Sequence, residues 1–173
     1  MTGSHELWAG RPELALELTE RYLNEVGFSP WVDDMHFLAL QATGKYRDDP
    51  GVFDPNPEGS IYPFPRRLLI HALDNDIATA RNTIEEFQKE NLVDDLNLLL
   101  IEAALGNRET ANALAGKLDS GFAGPFILTE AVKACFCGAP FDLEATPNFK
   151  ARIEEAGFAW PPPTRINYPA KDW

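Results

Sequence analysis

Apolar residues recur along this chain at three- and four-residue intervals, interrupted at regular distances by glycine or asparagine. Such spacing puts one apolar stripe on an α-helix, and the interruptions mark where helices stop. The clearest pair is Leu68-Leu69-Ile70-His71-Ala72-Leu73-Asp74-Asn75 and Leu99-Leu100-Ile101-Glu102-Ala103-Ala104-Leu105-Gly106, which align without a gap at an offset of 31. The match continues from Thr79-Ala80 to Thr110-Ala111, and Phe87 falls opposite Leu118. The same helix ending recurs at Leu38-Ala39-Leu40-Gln41-Ala42-Thr43-Gly44, at Val132-Lys133-Ala134-Cys135-Phe136-Cys137-Gly138 and, in short form, at Leu7-Trp8-Ala9-Gly10. Turns are therefore expected at Gly10, Gly44, Asn75, Gly106 and Gly138, spaced 34, 31, 31 and 32 residues apart.

Glycine and asparagine tolerate the left-handed backbone that follows a helix C-terminus. Five residues beyond three of these turns come Ala15, Ala80 and Ala111, where a small side chain lets paired helices approach closely. Apolar residues then follow at helical spacing: Leu18 and Tyr22, Ile84 and Phe87, Leu114 and Leu118. The pattern predicts helices over 11–25, over 30–43 behind Ser29 and Pro30, over 76–90, 91–105, 108–118 and 125–137, and a last short one from Thr146-Pro147 to Gly157. No segment reads as a strand.

Gly106-Asn107-Arg108-Glu109-Thr110-Ala111 and Gly10-Arg11-Pro12-Glu13-Leu14-Ala15 carry a Gly-polar-x-x-x-Ala turn that resembles that of tetratricopeptide repeats. The resemblance covers roughly residues 7–138 and is degenerate. The first-helix aromatic of the family falls near Asp95, the small mid-helix residue is Leu99, and the proline between units is missing. It implies an all-α fold: a right-handed α-α superhelix, or solenoid, of about four to five helix-turn-helix repeats, each burying its apolar face on its neighbours. On this reading residues 1–159 form the helical-repeat domain and residues 160–173 an extended tail.

Two segments depart from the repeat. Residues 45–65 stand where a second helix belongs, with five prolines in the 16 residues from Pro50 to Pro65, which no single helix accommodates. An insertion of this length is often functional. The tail holds Pro161-Pro162-Pro163 and three large aromatics, Trp160, Tyr168 and Trp173, and is expected to pack back across the array. Only nine residues precede Gly10, too few for a full first helix, so the chain reads as the C-terminal part of a longer protein.

The formal charge of −12 narrows the partners. Acidic surfaces repel phosphate backbones and anionic lipid, so nucleic acid and membranes are not expected and a basic protein or peptide is favoured. No apolar run approaches the roughly 18 residues of a membrane span. Cys135 and Cys137, two apart, are placed badly for a disulfide or a zinc site and read as reduced core residues, in keeping with the cytoplasm.

Candidate chemistry is sparse. There is no phosphate loop, dinucleotide fingerprint or nucleophile elbow, and His5, His36 and His71 are scattered. Asp54-x-Asn56-x-Glu58-Gly59-x-Ile61 matches the first half of an EF-hand loop, but Pro65 stands at the closing position. Asp33-Asp34, Glu85-Glu86 and Asp94-Asp95 read as helix-terminal residues, because adjacent residues on a helix do not face one another. The chain is therefore expected to be no enzyme and to need no cofactor or metal. The resemblance implies a scaffold that binds a peptide or partner protein on the concave face lined by first helices, with Arg67, Leu69, His71, Leu100 and Glu102 as groove candidates. Self-association through the ends of the array is an equal use of such a fold. The alternative is a sensory or regulatory domain of a larger bacterial protein, a transcription regulator or nucleotide cyclase. The closing pattern Pro147-x-Phe149-x-x-x-Ile153-x-x-x-Gly157 resembles the ends of repeat arrays in such proteins.

Overall fold

A computed structural model of the chain describes residues 2–48, 56–135, 138–162 and 166–169. Asp49-Pro50 and Asp54-Pro55 of the insertion, Cys137, Pro163 and the final residues through Trp173 lie outside the described residues. Those described are all helical or irregular, with no strand among them. The helices are α1 (Thr2–Trp8), α2 (Pro12–Glu25), α3 (Pro30–Thr43), α4 (Arg67–Leu73), α5 (Ile77–Gln88), α6 (Asp95–Ala104), α7 (Arg108–Asp119), α8 (Gly124–Cys135) and α9 (Pro147–Ala156). None is long and apolar enough to cross a membrane.

All five expected turn positions adopt the left-handed conformation: φ is 76° at Gly10, 72° at Gly44, 60° at Asn75, 73° at Gly106 and 80° at Gly138. Behind two of them the next residue caps the following helix in the same way. Asp76 accepts a hydrogen bond from the Thr79 amide at 3.2 Å, and Asn107, 31 positions on, accepts from the Thr110 amide at 3.5 Å. Ala15, Ala80 and Ala111 are wholly buried where the paired helices cross. One helix starts later than its pattern predicts. The carboxylate of Asp94 accepts from the Asn97 amide at 2.9 Å, so α6 begins at Asp95 and residues 91–94 become a linker. Pro30 opens α3 as predicted, but Ser29 makes no side-chain cap; its extended backbone and its carbonyl, 2.9 Å from the Asp33 amide, start the helix.

Hairpin partners pack on each other as α1 on α2, α4 on α5 and α6 on α7, and first helices also touch the next one along, α1 on α3, α4 on α6 and α6 on α8. The turn after α3 meets the turn after α4, where the Tyr46 hydroxyl donates to Asp74 at 2.9 Å. In two units the described residues include no helical second member. After α3 comes a 3-10 turn, Lys45–Arg47, and then an irregular strap over 56–66. After α8 the chain runs along α7 through residues 139–146, including the 3-10 turn Leu143–Ala145. Asp142 binds Arg108 (2.7 Å) and Asn112 (2.7 Å) near the start of α7. Farther along, a Cβ at Gly116 would sit 3.0 Å from the Ala145 carbonyl. At the far end of α7, buried Asp119 accepts from the amides of Asn148 (2.9 Å) and Phe149 (2.8 Å), supplying from another helix the cap that Thr146 does not provide to α9.

A continuous core of Phe37, Leu38, Leu68, Leu99, Ile101, Leu128 and Phe141 runs through the array. The tail joins it, with Trp160 against the rings of Phe141 and Phe149 and with Ile166 and Tyr168 buried.

Candidate binding groove

The strap owes its shape to two side chains. Asn56 donates from Nδ2 to the carbonyls of Tyr62 (2.9 Å) and Phe64 (2.6 Å) and accepts from the Arg66 amide at 3.0 Å, closing the segment on itself. Asn56 is one of the oxygen positions of the EF-hand-like pattern, and here its side chain holds backbone. Among the described residues no three His, Cys, Asp or Glu side chains cluster in a way that suits a metal. Gly59, at φ 85°, turns the strap over Pro30, where a Cβ would press within 3.3 Å of the proline ring.

The strap is fastened to α3 by Asp34, whose side chain is fully buried. It accepts from the Ser60 hydroxyl and the Ile61 amide, each at 2.7 Å, and from the guanidinium of Arg66. Arg66 is equally buried, donates its other terminal nitrogen to Asp33 at 2.6 Å, and lies over the Phe37 ring with its central carbon 5.0 Å from the centroid. Asp33 and Asp34 do not face each other, as expected, yet one planar guanidinium reaches both. The sequence alone does not show this bridge, because two adjacent aspartates at a helix start read as helix-start electrostatics. The only available signal was an arginine at the end of a proline-rich insertion.

Fastened this way, the strap forms one wall of a cleft of about 280 Å³. Trp31 and Met35 come from α3, Ile61 from the strap, Leu96, Asn97 and Leu100 from α6, and Glu130, Lys133 and Ala134 from α8. Each helix contributes residues one turn apart (31 and 35, 96 and 100, 130 and 134), so aligned stripes of three first helices face the opening. The wall is apolar, with the Glu130–Lys133 pair at its rim and Trp31 half exposed. Asn97, though buried, donates to Asp94 at 2.8 Å.

Beneath the cleft, Tyr62, Phe64, Leu69, Leu100, Ala134 and Tyr168 close around a crevice of only about 10 Å³. Tyr62 stands edge-on to Phe37 and Phe64, both at 5.7 Å, and its hydroxyl donates to the Ala134 carbonyl at 3.3 Å. The Tyr168 hydroxyl donates to Gln41 Oε1 at 3.1 Å. Burial holds the phenol protons of Tyr62 and Tyr168 above the usual tyrosine range.

Of the five groove candidates, Leu69 and Leu100 are brought together in this crevice, and Leu100 also lines the cleft. The other three lie away from it. Arg67 is exposed on α4 and His71 is half-buried on the same helix. Glu102 accepts from Asn107 Nδ2 at 2.9 Å and from Arg81 at 3.4 Å, facing its own turn and α5. His36 is buried, with Nδ1 3.1 Å from the Thr19 hydroxyl. Asp94 caps α6 and Asp95 pairs with Lys117 at 2.7 Å, while Glu86 pairs with Lys89. Asp142 is held below the usual carboxylate range by its hydrogen bond from Arg108, with burial opposing and Asn112 adding to the effect.

Comparison with family models, with curated protein sequences and with solved structures finds no match to this chain.

Proposed function

We propose that this chain is a protein-interaction module, a tetratricopeptide-like right-handed superhelix whose first helices present a groove to a peptide segment of a partner protein. The observation that carries this reading is the cleft of about 280 Å³ between Trp31, Met35, Ile61, Leu96, Leu100 and Ala134. It lies at or below the lower end of small-molecule sites, roughly 300 to 1,000 Å³, and suits one or two anchoring side chains better than a cofactor. A half-exposed tryptophan over an apolar pocket is the composition of an interface anchor. The net charge of −12 favours a partner segment with basic residues around its apolar anchor. The close spacing of Cys135 and Cys137 goes with a reducing compartment, and we place the module in the cytoplasm.

The test is selection of a random linear-peptide library on the immobilised full chain, with Leu96→Glu as a parallel target. The reading expects enrichment to converge on sequences with a large apolar residue flanked by Lys or Arg, and expects Leu96→Glu to enrich none of them. No convergence, or equal enrichment on both targets, contradicts it.

A further inference from the structure

The crevice under the cleft already holds a ligand-like segment, the chain's own tail. Residues 166–168 are not helical, and they bury alternate side chains: Ile166 is 1% and Tyr168 4% exposed, while Asn167 between them faces solvent. That period of two is how an extended peptide lies on a surface. Tyr168 sits among side chains of four other elements, the strap (Tyr62, Phe64), α4 (Leu69), α6 (Leu100) and α8 (Ala134), which is the floor of the first-helix surface. Its hydroxyl reaches Gln41 Oε1 at 3.1 Å, whereas Gln41 Nε2, equally buried, has no hydrogen-bond partner among the described residues. The tail therefore fills the apolar part of this floor and leaves one polar group of it unmet. A buried donor without an acceptor is costly. A segment that brings both a tyrosine-like ring and an acceptor satisfies the floor more fully than the tail does.

We propose that residues 166–168 are an internal ligand, holding the floor of the groove until a partner protein's extended segment with the same aliphatic–polar–aromatic pattern displaces them. This deepens the peptide-binding reading and rests on it, naming the chemistry of the partner. A tethered segment competes at an effective concentration of order 1 mM, so a free peptide with an intrinsic Kd near ~10 μM binds the intact chain roughly a hundredfold more weakly than a chain whose tail has been disabled.

The experiment uses the full chain and its Ile166→Ala/Tyr168→Ala variant, with a fluorescein-labelled synthetic peptide of residues 160–173 as the probe, read by anisotropy alongside circular dichroism and light scattering. The proposal expects the folded double variant to bind the peptide about tenfold or more tightly than the wild type. The same peptide with alanine at both positions should not bind. A variant that keeps its helical signal and binds no better than wild type overturns the proposal. So does a variant that loses its helical signal, since the tail is then integral core. A concentration-dependent wild-type dimer that the peptide dissociates overturns the assignment to a partner protein and makes a second copy the occupant. Peptides enriched on the Trp31 cleft that still bind after any of these failures leave the peptide-binding reading standing; their absence as well removes both.

Discussion

Replacing Arg66 by methionine tests how the strap is held. Methionine keeps the length of the stem and removes the guanidinium, leaving Asp34, fully buried, with the Ser60 hydroxyl and the Ile61 amide but no counter-charge. Asp33 is less affected, because its side chain retains 18% exposure to water. Removing one partner of a buried pair costs about 3–5 kcal/mol, against a total stability of about 5–15 kcal/mol for an ordinary domain. At this chain length each kcal/mol corresponds to about 2–4 °C, so Arg66→Met should lower Tm by roughly 6–20 °C. Arg66→Lys restores the charge but cannot bridge two carboxylates with a planar fork, and should fall between the two. Combining Arg66→Met with Asp34→Asn removes the stranded charge, and the double variant should be more stable than the sum of the single losses. Thermal and urea unfolding followed by circular dichroism give the numbers. A fall of less than about 2 °C for Arg66→Met would refute the claim that this ion pair fastens the strap.

Three further predictions concern other parts of the molecule. Asp119→Ala strands the amides of Asn148 and Phe149 and should cost about 1–3 kcal/mol in urea unfolding; a loss under about 0.5 kcal/mol contradicts the cross-helix cap. Tyr62 and Tyr168 hold their phenol protons in the folded chain, whereas in the unfolded chain they release them near pH ~10, so stability should fall as pH rises past that point. Phenolate absorbance at 295 nm should then appear together with loss of the helical signal for these two rings, and their ionisation near the ordinary value with helices intact would count against their burial. Leu92→Ser, at a fully exposed side chain in the α5–α6 linker, should change stability by less than about 0.5 kcal/mol; a larger effect measured by urea unfolding means that this residue is covered in solution.

The hairpin register was legible because a left-handed turn residue and a small crossing residue are both chemical necessities that recur at a fixed distance. Gly106 with Ala111, or Asn75 with Ala80, announces a tight turn and a close helix crossing whatever the rest of the unit contains. Helix starts were less legible, since Asp94 and Asp95 are adjacent and only geometry shows which one caps α6. The cleft was read only in part. Leu100 was found because it belongs to the repeat, but Trp31, Met35, Leu96 and Ala134 owe their shared position to how α3, α6 and α8 approach one another, which a linear repeat does not encode. The irregular segments were the least legible. Prolines forbid a helix over 50–65, but nothing local states that Asn56 will staple the strap or that Arg66 will reach Asp33 and Asp34 more than 30 residues back. The tail's aromatics predict burial, and the structure supplies the place for Trp160 and Tyr168.

The central claim, that the surface made by successive first helices is the recognition face, is tested most directly by one spectrum. Heteronuclear NMR of the ¹⁵N-labelled full chain is recorded with and without the most enriched peptide from the library selection. The account predicts that the Trp31 indole N–H and the amides around Leu96, Leu100 and Ala134 shift together and saturably, while those around Leu92 and Phe122, in the linkers before α6 and α8, stay in place. Shifts confined to those linkers, or none near Trp31 at saturating peptide, would contradict it.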